Sequence, residues 1–220
     1  MDTTTKIAFK LAQAPINSDG MSEYIGAQFV CDKPYILRPP NDEYIKREIE
    51  WYDSRSRYVD DIPGETPKIW KEVAGHDGKI NSNYGWCIYS SENGFQFNSV
   101  VKELRKNPMS RRAVMYYTHP LMHTKQYDEG MNDHMCTTHV QYLIRNKQLS
   151  TYVYMRSNDA VFGFNNDYAW QQTVTTRLAK ELRSIVAGTP ELIEKVGPIV
   201  WNVGSLHVYP RHQSLLENYR

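Results

Sequence analysis

The chain has 220 residues and a net charge of +1, with 26 lysines and arginines against 25 aspartates and glutamates. That length suits one domain with a full core, residues 1–220, and the near-neutral charge excludes the electrostatic footprint of a duplex-binding protein. Three cysteines, Cys31, Cys87 and Cys136, lack zinc-type spacing and argue against a disulfide framework, so reduced thiols in a cytoplasmic-type compartment are expected.

No apolar run reaches membrane-spanning length, and the N-terminus shows no basic-then-apolar export signal. Asn17-Ser18-Asp19-Gly20 is a turn signal in an otherwise mixed first segment. Tyr24 to Val30 reads as a short strand, closed by Lys33-Pro34 and Pro39-Pro40. Asn41 or Asp42 can cap a helix over roughly 43–53. Residues 54–68 read as an exposed loop, Trp70 sits on a short helix, and 78–85 form a polar loop. From 110 onward strands dominate: Ala113 to Thr118, then Val140 to Ile144 and Leu149 to Arg156 joined as a hairpin at Asn146-Lys147. Trp170, Val174, Leu178, Leu182 and Ile185 recur at helical spacing, with Gly188-Thr189-Pro190 as the stop. Pro198 to Tyr209 reads as a long final strand, with a short closing helix. Strands and helices without regular alternation predict an α+β fold, a large mixed sheet packed against helices.

Several residues carry chemistry. Glu48 lies on the apolar stripe of Ile45, Ile49 and Tyr52. Burial there would raise its pKa and suit a proton shuttle; the alternative is a stripe-edge glutamate paired with Arg47 or Arg55. Cys136 is either a nucleophile activated by a nearby cation or a small buried apolar residue. A metal site of His134, Cys136 and His139 has poor support, because neighbouring strand positions do not converge on one ion. Arg111, Arg112 and Arg156, with Ser157, can form an anion cup, since guanidinium forks match phosphate oxygens. Asn166 and Asp167 are N-caps by default. Facing a pyrimidine, an amide complements uracil, whereas a carboxylate complements cytosine when a proton is shared with nitrogen 3.

Longer stretches extend the pattern: Asn41 to Ile45 with Arg47-Glu48, Asp61 to Trp70, Asn81 to Trp86, Met135-Cys136-Thr137, Val161 to Phe164 and Trp201 to Tyr209. Together they resemble the thymidylate synthase superfamily, and within it the deoxycytidylate hydroxymethylases of T-even-type bacteriophages, over residues 22–215. The resemblance implies a homodimer joined through a sheet face. It makes Cys136 the nucleophile on carbon 6 of dCMP, with 5,10-methylenetetrahydrofolate as one-carbon co-substrate and no metal. Glu48 would organise water and move protons, and Tyr84 would assist near carbon 5. Arg156, Ser157 and Asn158 would bind substrate, joined by Arg111 and Arg112 from the partner subunit. His207 and Tyr209 would hold the ribose 3′-hydroxyl, Asp167 would read the base, and Ile69, Trp70 and Asp159 would contact the folate. The product would be hydroxymethylated nucleotide for phage DNA, made in the cytoplasm of the infected host. Other nucleotide-synthesis enzymes are possible partners; direct DNA binding and membrane association are not implied.

Two departures stand out. The turn at 17–20 lacks the arginine or lysine that such enzymes place on the phosphate, so either the phosphate cup lacks one member or Lys6, Lys10 or another group compensates. Close relatives also continue beyond the position of Arg220 into a tail that, in the synthases, closes over the folate. Alternative readings are methylation or hydroxymethylation of dUMP, if Asn166 faces the base, and a non-catalytic nucleotide-binding subunit.

Overall fold

The computed structural model describes residues 1–124, 129–183 and 192–220. Its frame is a six-stranded sheet of β1 (Asp2–Thr3), β2 (Ser22–Val30), β3 (Val114–Tyr116), β4 (Thr137–Arg145), β5 (Gln148–Asp159) and β6 (Lys195–Val208). The order across the sheet is β1-β2-β6-β5-β4-β3. β4 and β5 form the expected hairpin. Asn146 and Lys147 take φ of 50° and 55°, the left-handed pair that a two-residue turn between twisted strands requires. Along β5, Leu149, Thr151, Val153 and Met155 are buried while alternate residues are more open, so one sheet face packs inward.

β5 and β6 run parallel, which demands a crossover. The long helix after β5 provides it. The other helices are α1 (Thr4–Gln13), α2 (Asp42–Ser54), α3 (Lys68–Val73), α4 (Tyr84–Tyr89), α5 (Gln96–Lys106) and α6 (Pro120–Thr124), and the crossover helix is α7 (Gly163–Arg183). α7 buries Trp170, Val174, Leu178 and Leu182 as expected, but begins well before Trp170. Ile185 and the stop at Gly188-Thr189-Pro190 lie outside the described residues.

Several expectations need correction. The first segment is not merely mixed, because Ile7, Ala8, Leu11 and Ala12 give α1 a buried face. Phe97, Val100, Val101 and Leu104 do the same for α5, which the sequence reading left unassigned. The loop at 54–68 is only partly exposed: Val59 and Ile62 are buried around a 3-10 turn at Val59–Asp61. On α2 the buried face is Glu48, Trp51 and Tyr52, while Ile45 and Ile49 sit at its margins. Among the described residues, no helix is long and apolar enough to cross a membrane.

Candidate active site

Glu48 is only 3 % exposed. The α2 cap explains its placement: Asn41 accepts from the Tyr44 amide at 3.1 Å, which fixes the first turn. One turn before Glu48, the Tyr44 hydroxyl donates to Glu48 Oε1 at 2.9 Å, and the Trp70 indole donates to that hydroxyl at 3.0 Å. Burial pushes the Glu48 carboxyl up to about 8, and the charge of Asp167 adds to the shift against the opposing bonds from Tyr44 and Tyr52. The alternative pairing with Arg47 is excluded by that arginine's contacts, the carbonyls of Pro63 and Glu65.

α4 delivers Tyr84 onto Tyr52, the neighbour of Glu48 on the buried face of α2. Asn83 accepts from the Trp86 amide at 2.8 Å and donates to the carbonyls of Trp51 and Ser56 at 2.9 and 2.7 Å, riveting α4 to α2. A Cβ on Gly85 would lie 1.8 Å from the Tyr52 carbonyl oxygen, so only glycine permits this approach. Tyr84 then stacks on Tyr52 with ring centroids 5.2 Å apart. Its hydroxyl accepts from Thr137 Oγ1 at 3.0 Å and hydrogen-bonds Asp167.

Cys136 is half-buried directly before β4, where the register shifts between Thr137 and His139. Such irregularities re-aim side chains. Burial pushes the thiol up to about 11; Arg156 pulls it down, while Asp167 and Asp133 push further up. The resting sulfur is therefore a protonated thiol. Arg156 braces the loop, donating through Nε to the Met135 carbonyl at 3.1 Å and through Nη2 to that of His134 at 2.8 Å. Among the described residues, no cluster of three or more His, Cys, Asp or Glu side chains is placed to hold a metal ion.

Asp167 keeps a partly open edge but is surrounded by protein, and burial pushes its carboxyl up to about 7. Its Oδ2 accepts from Asn158 Nδ2 at 2.8 Å, and Asn158 Oδ1 accepts from the buried Trp201 indole at 3.1 Å. Asn158 is thus committed at both ends of its amide. Asn166 has no equivalent tie among the described residues.

The parallel register sets Ser157 beside Ser205 and Asp159 beside His207. Ser157 Oγ lies 3.5 Å from His207 Nδ1, and the His207 ring meets Tyr209 edge-on at 4.9 Å. These residues and Arg156 share one end of the sheet. Arg111 and Arg112 do not join them within this chain: both are exposed, and Arg112 pairs with Glu103 at 3.1 Å. Asp159 accepts from the amides of Val161 and Phe162 at 3.0 and 3.3 Å, and Ile69 is 57 % exposed beside Trp70.

Sequence reading missed three residues. Tyr44 was visible as the partner one helical turn from Glu48. Arg211 sits over the Tyr209 ring at 4.6 Å, and its charge acts on that phenol together with that of Arg156. Its segment packs on the 17–20 turn, where Gln213 Nε2 donates to the Gly20 carbonyl at 3.4 Å. Lys10, expected as a substitute cation, is paired with Asp2. Asp133 had no signal in the sequence.

Residues 40–219 match the family described as Thymidylate synthase. The deoxycytidylate 5-hydroxymethyltransferase of Enterobacteria phage T6 is 55% identical over 90% of this chain and 79% of its own length. That of Enterobacteria phage T4 is 54% identical over the same shares, 90% and 79%. The thermostable thymidylate synthase A from Bacillus subtilis superposes with a TM-score of 0.64 at 24% identity, covering 92% of this chain and 73% of that one, and shares the fold. With that fold, and with a family match spanning most of its length, the chain belongs to the thymidylate synthase family.

Proposed function

We propose that residues 1–220 act as a deoxycytidylate 5-hydroxymethyltransferase using 5,10-methylenetetrahydrofolate and water. The observation that supports the substrate is the hold on Asp167: its Oδ2 accepts from Asn158 Nδ2 at 2.8 Å, whereas Asn166 has no such side-chain tie among the described residues. A carboxyl that holds its proton up to about 7 can share that proton with cytosine nitrogen 3 and accept from the amino group. The likeness to the phage hydroxymethyltransferases supports the same substrate.

Cys136 Sγ would bond to carbon 6 as its proton leaves, which makes carbon 5 nucleophilic. When bound, the folate supplies the one-carbon unit. Tyr84, between Thr137 and Asp167, would assist proton removal at carbon 5. Glu48, able to hold or release a proton at about 8, would direct water to the new exocyclic carbon. Trp70, whose indole bonds the Tyr44 hydroxyl that meets Glu48, would contact the pterin together with Ile69 and Asp159. Arg156, Ser157, His207 and Tyr209 would hold phosphate and ribose. The exposed Arg111 and Arg112 would reach the partner's phosphate in a dimer joined through the open sheet face.

Product mass tests this reading. Incubation with dCMP and the folate should add CH2O to the nucleotide. Addition of CH2 would make the chain a methylase, and turnover of dUMP alone would overturn the cytosine assignment.

A further inference from the structure

One buried acid has been given no role so far. Asp133, just ahead of Cys136, is 8 % exposed. Its Oδ2 accepts from the amides of Asn81 and Ser82, each at 2.7 Å, and its Oδ1 accepts from Ser82 Oγ at 2.6 Å. Ser82 Oγ also approaches Met135 Sδ at 3.1 Å. The clamped stretch leads directly into Asn83, the cap of α4, and so into Tyr84. Arg57 holds its other side, donating to the Ile80 carbonyl and to Asn81 Oδ1 at 2.8 Å each while lying 4.6 Å over the Trp86 ring.

We propose that Asp133 is a positioning residue for the covalent step, clamping the segment that carries Tyr84 to the segment that carries Cys136. Burying an acid is costly, and burial does raise this carboxyl above the usual range. An apolar residue could fill the space but could not satisfy the three donors. Two of them are backbone amides with no other acceptor in that turn, so the clamp is specific to an acceptor on both oxygens.

The carboxylate also faces the nucleophile electrostatically. Cys136 meets Arg156 from β5, Asp167 from α7, Tyr84 from α4, Tyr209 beyond β6, and Asp133 from its own segment. Asp133 in turn faces Arg57 and Cys87. Removing its charge should ease ionisation of the Cys136 thiol while the lost clamp slows turnover. A residue that merely holds the fold moves neither readout in opposite directions.

The turnover arm rests on the proposed reaction; the thiol arm does not. In Asp133→Ala, kcat for dCMP is expected to fall about 10²-fold, as for a displacement of about 1 Å at the chemistry, with KM within about threefold. Asp133→Asn can keep one oxygen on both amides and donate to Ser82 Oγ, so it should recover kcat to within about tenfold. In both variants the pH midpoint of Cys136 alkylation by iodoacetamide, followed on its own peptide by mass, should move down. If Asp133→Ala does not fold, Ser82→Ala removes one limb and should lower kcat about tenfold. An Asp133→Ala kcat within threefold of the parent, a loss carried by KM, or an unmoved midpoint in Asp133→Asn overturns the proposal. So does a Ser82→Ala kcat within twofold. A parent chain inert toward dCMP would instead sink the reaction, and the alkylation midpoint would still decide the role of Asp133.

Discussion

Replacing Asp167 with asparagine isolates the base-reading step with little change in volume. Asn158 Nδ2 lies 2.8 Å from Asp167 Oδ2, and its own oxygen is held by Trp201 at 3.1 Å, so it cannot easily turn. An amide at position 167 must therefore keep its oxygen on Asn158 and present its NH2 where Oδ1 was. That NH2 meets the cytosine amino group donor to donor, and the proton shared with nitrogen 3 is lost. Against uracil the same NH2 faces an acceptor. Losing one charge-assisted hydrogen bond costs about 2–3 kcal/mol, which at about 1.4 kcal/mol per decade is roughly 10²-fold in kcat/KM. The assay is tritium release from carbon 5 of dCMP and dUMP in the presence of the folate. Asp167→Asn should lose about 10²-fold on dCMP while dUMP gains relative to it, and Asn166→Ala should leave the ratio unchanged. Turnover of dCMP within threefold of the parent, or an unaltered ratio, refutes the reasoning.

The same carboxyls shape stability. Glu48 and Asp167 are raised from 4.5 and 3.8 to about 8 and about 7, so folding favours their protonated forms. The stability they contribute is fully present below the lower values and lost as pH rises through the upper ones. Tm of the ligand-free chain should therefore decline from about pH 4.5 to about pH 8 more steeply than that of Glu48→Gln/Asp167→Asn; parallel curves would contradict this. Gly85→Ala must displace the Tyr52 carbonyl, and overpacking of this kind costs about 1–3 kcal/mol or more, visible as a lower urea midpoint; an unchanged midpoint removes the argument for that glycine. Arg211 takes no carboxylate partner among the described residues, so Arg211→Ala should raise KM for dCMP about tenfold at constant kcat, as loss of a phosphate contact does. An unchanged KM would show that Arg211, over the Tyr209 ring, makes no contact with the phosphate.

The parts legible in the sequence were those whose cause is local. Asn146-Lys147 announces a tight turn because its backbone needs φ above zero, and α2 announces itself through its cap. Glu48 drew notice as a charge on an apolar stripe; Tyr52 of that stripe is buried and Ile49 packs against the core, but Trp51, which the stripe omitted, is buried beside Glu48 while Ile45 is only partly covered. α1 and α5 were illegible because short helices owe their stability to packing across the chain rather than to propensity. Asp133 stayed hidden for a stronger reason. Its partners lie about fifty residues upstream, and nothing in its neighbours signals that two backbone amides will need an acceptor there. The choice between Asn166 and Asp167 likewise needed α7 to be placed, since the side chain one residue further along a helix points about 100° away.

The bond from Asn158 to Asp167 has a consequence for how this enzyme can change over time. Cys136, Arg156, Ser157 and His207 lie on or beside strands, whereas Asp167, the proposed base reader, lies on α7 and is held from β5 by one amide. A substitution at Asp167 alone would alter the edge offered to a base while leaving Arg156 and Ser157 in place on β5. If Asp167 reads the base as proposed, a change at that one hydrogen-bonding edge would alter which pyrimidine is accepted.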